Sequence, residues 1–492
     1  MSFLKDIKTF PRTFWVANTM ELFERWAWYG MFILLAIYLT GSTDKGMLGF
    51  TQEQKGLLMG TVVMVLYFLP TITGAIADKY GYKNILIISY IILSSGYLLM
   101  GFVKGYTEMW FIFMYLAVGA ALFKPIITAT VSKTSTEKTA SIGFGIFYMI
   151  VNIGAFIGPY MASELREVSW KYPFYMASSV ILINLVLVVF FYKEPAIERK
   201  KEPLLKSFKV IFRNIGIALS DLKFLFFLII LIGFWTMYNQ LFYSLTVFID
   251  QWVDTSRIYD ALYSFSPAIA ESIGTADGTI LAEKLVNIDA LYIVFFQILI
   301  STFVIKFKPV NTMVVGFLLC TIGISLWYIT MDGRYLIVTI LIFAIGEMAG
   351  SPKILEYIGK IAPKDKVALY MGCYFIPMSG GNFFAGLISG SVYGSIADKI
   401  NIIKTEVTSR GLSIPEISSS FSKDEYLNRA SEILKMNQAD MTTYLWNTYQ
   451  PYNFWMIVAG IGLFTVISLF IFDKLVLSRT KPDLSNMNSE SN

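Results

Sequence analysis

The chain has 492 residues, 55% of them hydrophobic, 16% aromatic and only 15% charged, where a soluble domain carries about 25% charged residues. That balance excludes a soluble enzyme or nucleic-acid-binding domain, and the net charge of +5 reads as basic loops on one side of a membrane. There is no histidine, and the two cysteines, Cys320 and Cys373, lie in apolar segments. No metal site, cofactor or disulfide framework is therefore expected, and any proton carrier must be a carboxylate or a lysine.

The first apolar stretch lacks the short h-region and small-residue cleavage site of a signal peptide, so it is expected to remain as a membrane span. Within it, NTMELFERWAWYGMFILLAIY carries Glu21, Glu24 and Arg25. At about 100° per residue, Glu24 and Arg25 lie about 60° and 40° to either side of Glu21, with Asn18, Trp28 and Phe32 on the same stripe. An ionised group at mid-span costs roughly 2.5–3.5 kcal/mol, so an unpaired triplet costs on the order of 7–10. Arg25 offsets part of this, but one cation cannot neutralise two carboxylates. Two readings stand side by side: a structural ion pair that anchors the helix, or a proton relay facing water. Depth in the span favours the relay.

About twelve spans are expected, at roughly 13–40, 55–77, 84–103, 107–132, 141–163, 172–192, 223–250, 287–305, 309–330, 334–361, 367–396 and 452–473, most near the ~20 residues a crossing helix needs. The loop after span 2, GAIADKYGYK, holds Gly74, Asp78, Lys79, Gly81 and Lys83. Span 4 carries Lys124 next to Pro125, too deep to snorkel. A basic segment over 193–222 separates six spans from six, and its second half reads as a surface amphipathic helix with Lys206, Lys209 and Arg213 on the wet side. The division expected is a six-helix bundle over 1–192, the linker over 193–222, a second bundle over 223–475 and a disordered cytoplasmic tail over 476–492. Long loops interrupt the second bundle at about 251–286 and 397–451, the latter partly helical. Lysines and arginines gather at the N-terminus (Lys5, Lys8, Arg12), the 2–3 loop, the linker, the 8–9 loop (Lys306, Lys308), the 10–11 loop (Lys360, Lys364, Lys366) and the C-terminus (Lys474, Arg479, Lys481). Both termini are thus expected in the cytoplasm and the two long loops outside.

Six plus six spans around a midplane site is the layout of the major facilitator superfamily, and Gly74–Lys83 resembles its 2–3 loop signature. Four further stretches resemble one branch, the proton-coupled oligopeptide transporters (the peptide/nitrate transporter family). ELFERWAWYG is similar to its first-span ExxER motif, and FKPIITATVSK to its fourth-span motif. FYMIVNIGAFIGPYM resembles the fifth-span signature, and GEMAGSPKILEYIGKIAP the tenth span. The resemblance implies that Glu21, Glu24, Arg25 and Lys124 couple protons, with Lys124 exchanging salt-bridge partners with the triplet. It implies that Glu347 binds a peptide's amino end, and that Tyr29, Tyr67, Asn152, Trp235 and Gln240 line the cavity. Asp289 falls, on a loose alignment, where the family has a substrate-contacting asparagine in span 8. Tyr148 is open to a cavity or a packing role, and Gly119, Gly143, Gly145, Gly154 and Gly158 read as helix-contact positions.

The chain departs from that pattern at several points. Phe32 stands where the family usually has an arginine that clamps the substrate carboxylate, and Asn239 where it often has an acid. Lys353 is an extra charge in span 10, open to a gate role with Glu356, and the two extra spans many bacterial members insert are missing. The expectation is an all-α integral membrane protein, not an enzyme. It would be a symporter driven by the proton gradient, importing di- or tripeptide-like substrates by alternating access, multi-pass in the inner (plasma) membrane. Its expected partners are lipid, protons and the small substrate, with no nucleic acid, and it would work as a monomer. A carrier of nitrate or another small non-peptide solute is the alternative, and a transporter-like receptor the remote one.

Overall fold

The structure is a computed structural model that describes residues 7–136, 139–196, 203–328, 330–363, 366–418 and 420–474. The tail over 476–492, linker residues 197–202, and Lys5, Lys364, Arg479 and Lys481 fall outside the described residues. All twelve expected crossings are helical. The first six are Arg12–Thr40, Gln52–Phe68 with Pro70–Tyr80, Tyr82–Met100, Tyr106–Lys133, Ala140–Val168 and Lys171–Phe190. Span 7 runs from Leu222 to Trp252 through a π turn at Leu241–Leu245. Spans 8, 9, 10 and 12 are Ile288–Val304, Pro309–Ser325, Arg334–Ile361 and Asn453–Phe472. Span 11 is segmented into Val367–Gly372, Phe375–Leu387, a π turn at Ile388–Val392 and Tyr393–Ile396.

Two crossings expected as single helices are broken, and proline explains both. Span 2 bends by 45° between Phe68 and Pro70, because Pro70 has no N–H and its ring clashes with the carbonyl one turn back. Span 11 is interrupted at Cys373–Tyr374, where Pro377 cannot give the regular helical hydrogen bond to the Cys373 carbonyl, which accepts from the Ile376 N–H at 3.1 Å instead. Pro125, Pro159 and Pro352 sit inside continuous helices instead.

Spans 1, 5 and 6 pack together, as do 3, 4 and 6. In the second half, spans 7, 11 and 12 form one group, and spans 9, 10 and 12 with span 8 another. The linker helix, Leu204–Leu219, exposes Lys206, Lys209 and Arg213 as expected. It touches both Pro70–Tyr80 of span 2 and Val367–Gly372 of span 11, bridging the two bundles on the linker face.

On the opposite face, which carries the two insertions, the halves meet directly. Spans 2 and 11 close backbone to backbone: a Cβ on Gly386 would lie 2.5 Å from the Gly60 Cα, and one on Gly56 2.6 Å from the Gly390 Cα. Ion pairs Arg166–Glu283 and Lys284–Glu164 tie the end of span 5 to the approach of span 8. Phe32 of span 1 meets the Phe242 and Tyr243 rings of span 7, each at 6.0 Å.

Both insertions are largely helical, the first more so than the sequence suggested: it holds Ser256–Phe265, Pro267–Ile273 and Ala282–Val286. The second holds Lys399–Ser409, Lys423–Leu434 and Gln438–Tyr449. It latches onto the first bundle through Lys423, whose partly buried ammonium donates to the carbonyls of Thr40 (2.7 Å) and Phe50 (2.9 Å). The neighbouring Asp424 pairs with Lys45.

Gly386→Ala is expected to lose about 1–3 kcal/mol of stability by overpacking, seen as a lower melting temperature of the purified protein. Gly145→Ala, with nothing within 4 Å of the added carbon, should lose none. Lys423→Met keeps the apolar stem but strands two carbonyls. Spin labels at Thr43 and Arg429 should then show a longer, broader distance distribution, and an unchanged one would argue against a latch.

Candidate functional site

Helical geometry brings the three charges of span 1 together as the periodicity requires. Arg25 pairs with Glu24, its Nε donating to Oε2 at 2.5 Å, and reaches Glu21 at 3.4 Å. Glu24 is wholly buried and its second oxygen has no hydrogen-bond partner. The guanidinium also lies 5.7 Å above the ring of Tyr29, one turn further along. Span 5 walls the cluster because Gly154 is bare there: a Cβ on it would lie 2.8 Å from the Arg25 Cβ. Gly158 likewise seats against Trp26 and Gly30, so these two glycines are helix-contact positions, while Gly145 contacts nothing.

Lys124, on span 4, stands within electrostatic reach of Glu21, Glu24 and Arg25. Its ammonium rests 4.4 Å over the ring of Tyr67 on span 2. The three other charges are thus drawn together on one helix, with the lysine held opposite by an aromatic face.

Tyr29 connects this cluster to a small cavity of about 60 Å³ between the bundles. Its walls include Tyr29 and Ile33 of span 1, Asn152 of span 5, Tyr238 and Phe242 of span 7, Asp289 of span 8 and Glu347 of span 10. Glu347 Oε1 accepts from the Tyr238 hydroxyl at 2.8 Å, and the Asp289 and Glu347 carboxyls lie within hydrogen-bonding range of each other. Tyr148 feels the charge of Glu347 but does not line this cavity and is 43% exposed.

Four of the seven residues expected at the ligand, Tyr29, Asn152, Asp289 and Glu347, therefore share one cavity. Tyr67 lies under Lys124 instead. Trp235 is packed against Gly381, and Gln240 is tied up in the protein, donating to the Thr236 and Ala385 carbonyls and accepting from Ser244. Asn239 caps inward onto the Trp235 carbonyl. Lys353 is spent on Glu356 at 2.7 Å, which fits a gate charge. Tyr238 was missed, although it adjoins Asn239 in FWTMYNQ and stands three residues from Trp235, close to one helical turn. Phe32, where an arginine was expected by resemblance, stacks on Trp28 at 5.0 Å and seals the seam between the bundles.

The 2–3 loop is built as its residue types demand. Gly81 turns the chain between spans 2 and 3 at φ +92°, a conformation open to glycine. Gly74 faces Pro125 of span 4, and Lys83 donates to the Val189 carbonyl at 2.8 Å. Asp78 accepts from the Tyr82 hydroxyl at 3.4 Å, and Lys79 lies 5.7 Å over the Tyr80 ring.

The family model of the Major Facilitator Superfamily matches residues 19–275, just over half of the sequence. The chain belongs to the major facilitator superfamily. Among its relatives, dipeptide and tripeptide permease B of Salmonella typhimurium is 29% identical over 233 residues, 46% of this chain and 45% of that protein. The permease of the same name from Edwardsiella piscicida is 32% identical over 161 residues, 32% of each. These alignments span less than half the length of the relatives. A crystal structure of a POT family transporter in complex with 5-aminolevulinic acid superposes with TM-score 0.69 at 17% identity, over 96% of this chain and 100% of that one. That likeness shows the fold, and the permease relatives bear names of the branch that the motifs resemble.

Replacing Arg25 with Gln leaves two buried carboxylates without a cation, a loss of roughly 3–5 kcal/mol. Protonating the acids relieves it, so the melting-temperature deficit should be larger at about pH 8 than at about pH 5. An equal deficit at both would show that Arg25 matters by packing alone.

Proposed function

We propose that this chain is a proton-coupled symporter that imports di- or tripeptide-like substrates by alternating access. The observation that carries the reading is the position of Tyr29, which touches Arg25 of the charge cluster and also walls the cavity holding Glu347 and Asp289. A proton arriving on Glu21 or Glu24 changes what Arg25 and Lys124 must balance, and frees or captures the lysine across the helix gap. The two spans that hold these charges then favour different separations, so proton occupancy biases a two-state contact.

The cavity gives a dipolar ligand unequal poles. Two carboxyls and a tyrosine hydroxyl form a strong negative end for an ammonium group. No described lysine or arginine is among the residues lining the cavity; positive charge reaches a ligand from the cluster behind Tyr29, where Lys124 is a point charge in place of an arginine's two-pronged grip. A nitrate-like anion fits poorly beside Asp289 and Glu347, so the peptide-like cargo is preferred. The names of the permease relatives support the same choice. The chain acts as a carrier rather than an enzyme, multi-pass in the cytoplasmic membrane, with the basic linker face inside and the insertions outside. In that orientation the glycine seam and the Lys423 latch close the outer side.

Proteoliposomes test the coupling. Glu24→Gln should retain counterflow of labelled dipeptide but lose uptake driven by a pH gradient. Dipeptide uptake by the unaltered protein that ignores the gradient would overturn the coupling.

A further inference from the structure

Glu347 and Asp289 are acids on facing spans that line the same cavity, Asp289 buried and Glu347 partly so, within hydrogen-bonding range of each other. One oxygen of Glu347 is held by Tyr238, while the other, and Oδ1 of Asp289, have no donor. The titratable groups facing them from the packed elements are Tyr29 of span 1, Tyr148 of span 5, Tyr238 of span 7, Cys320 of span 9 and Tyr374 of span 11. None is a cation, and no described lysine or arginine pairs with either acid. Two carboxylates this close, in a site with no cation, cannot both stay ionised; the stable arrangement is one proton shared between them. The orphaned oxygens are where that proton, or another donor, must sit.

We propose that Asp289 and Glu347 form a second proton site of the carrier, holding one shared proton when the cavity is empty and releasing it to water when a ligand's ammonium group takes its place. The balance is simple. The empty pair carries one proton and a net charge of about −1; with an ammonium bound and the proton released to water, two carboxylates and one cation again sum to −1. The buried site keeps its charge through the exchange, so ligand entry avoids the cost of charging a dry cavity. This deepens the peptide reading and rests on it, because the ligand must present an amine to span 8 and span 10. It also gives Asp289 a positioning role: it keeps the proton on the pair, and Tyr238 orients Glu347 to receive the amine.

Infrared pH-difference spectroscopy on the full-length protein in detergent tests the pair without any ligand. At neutral pH the protein should show a protonated-carboxyl stretch, which Asp289→Asn loses and Asp289→Glu keeps. Adding Ala-Ala should abolish the band in the unaltered protein. Calorimetry in buffers of different ionisation heat should then report about one proton released per ligand bound, with the release lost in Asp289→Asn. A band absent from the ligand-free protein or retained in Asp289→Asn overturns the shared proton. A band untouched by Ala-Ala that binds, as judged by a melting shift, overturns the exchange and leaves the peptide reading intact. If Ala-Ala neither binds nor alters the band, the peptide reading falls and the exchange with it, while the ligand-free band still decides whether the pair holds its proton.

Discussion

The structure depends on a charge that cannot be cancelled locally. Span 1 places two carboxylates around one guanidinium in a position shut off from lipid by spans 4, 5 and 7, and Glu24 is buried completely. Burying such a group unpaired costs several kcal/mol, so the surroundings are arranged to meet it. Span 5 is stripped to glycine where it touches Arg25. Lys124 is brought within range from the neighbouring helix, and Tyr29 carries the field of the cluster to the cavity wall. Each of these features makes sense only if the excess negative charge is kept inside the bundle.

The second half repeats the problem with the opposite remedy. Asp289 and Glu347 concentrate acid without an opposing cation, and a tyrosine hydroxyl takes the place that an arginine fills in span 1. The purely acidic pair lines the cavity, and the cluster of mixed sign lies behind Tyr29, which meets both. Phe32 marks the boundary between them. Where an arginine would have extended the positive side, an aromatic ring instead joins the hydrophobic seam with Phe242 and Tyr243. The anion-binding end of the cavity is weakened and the contact between bundles is strengthened by the same residue.

Much of this was legible in the sequence, for a physical reason. Nine or ten of the twelve expected crossings follow from apolar length among the described residues, with spans 9 and 11 too short or too broken to qualify, and the Glu21–Glu24–Arg25 cluster follows from helical periodicity, because both are local properties. The bends were less legible: Pro70 and Pro377 break their spans while Pro125, Pro159 and Pro352 do not, a difference set by neighbouring helices. Residues whose roles depend on side-chain direction were the hardest. Trp235 and Gln240 lie on the expected span but turn into the protein, and Tyr238, three and two residues away from them, faces the cavity instead. The pairing of Asp289 with Glu347 joins residues far apart in the chain, which no local pattern records.

The seam between spans 2 and 11 has a consequence of its own. Because Gly56, Gly60, Gly386 and Gly390 meet through bare backbone, these four positions add no side-chain rotamers to be fixed where the halves touch, which lowers the entropy cost of that contact.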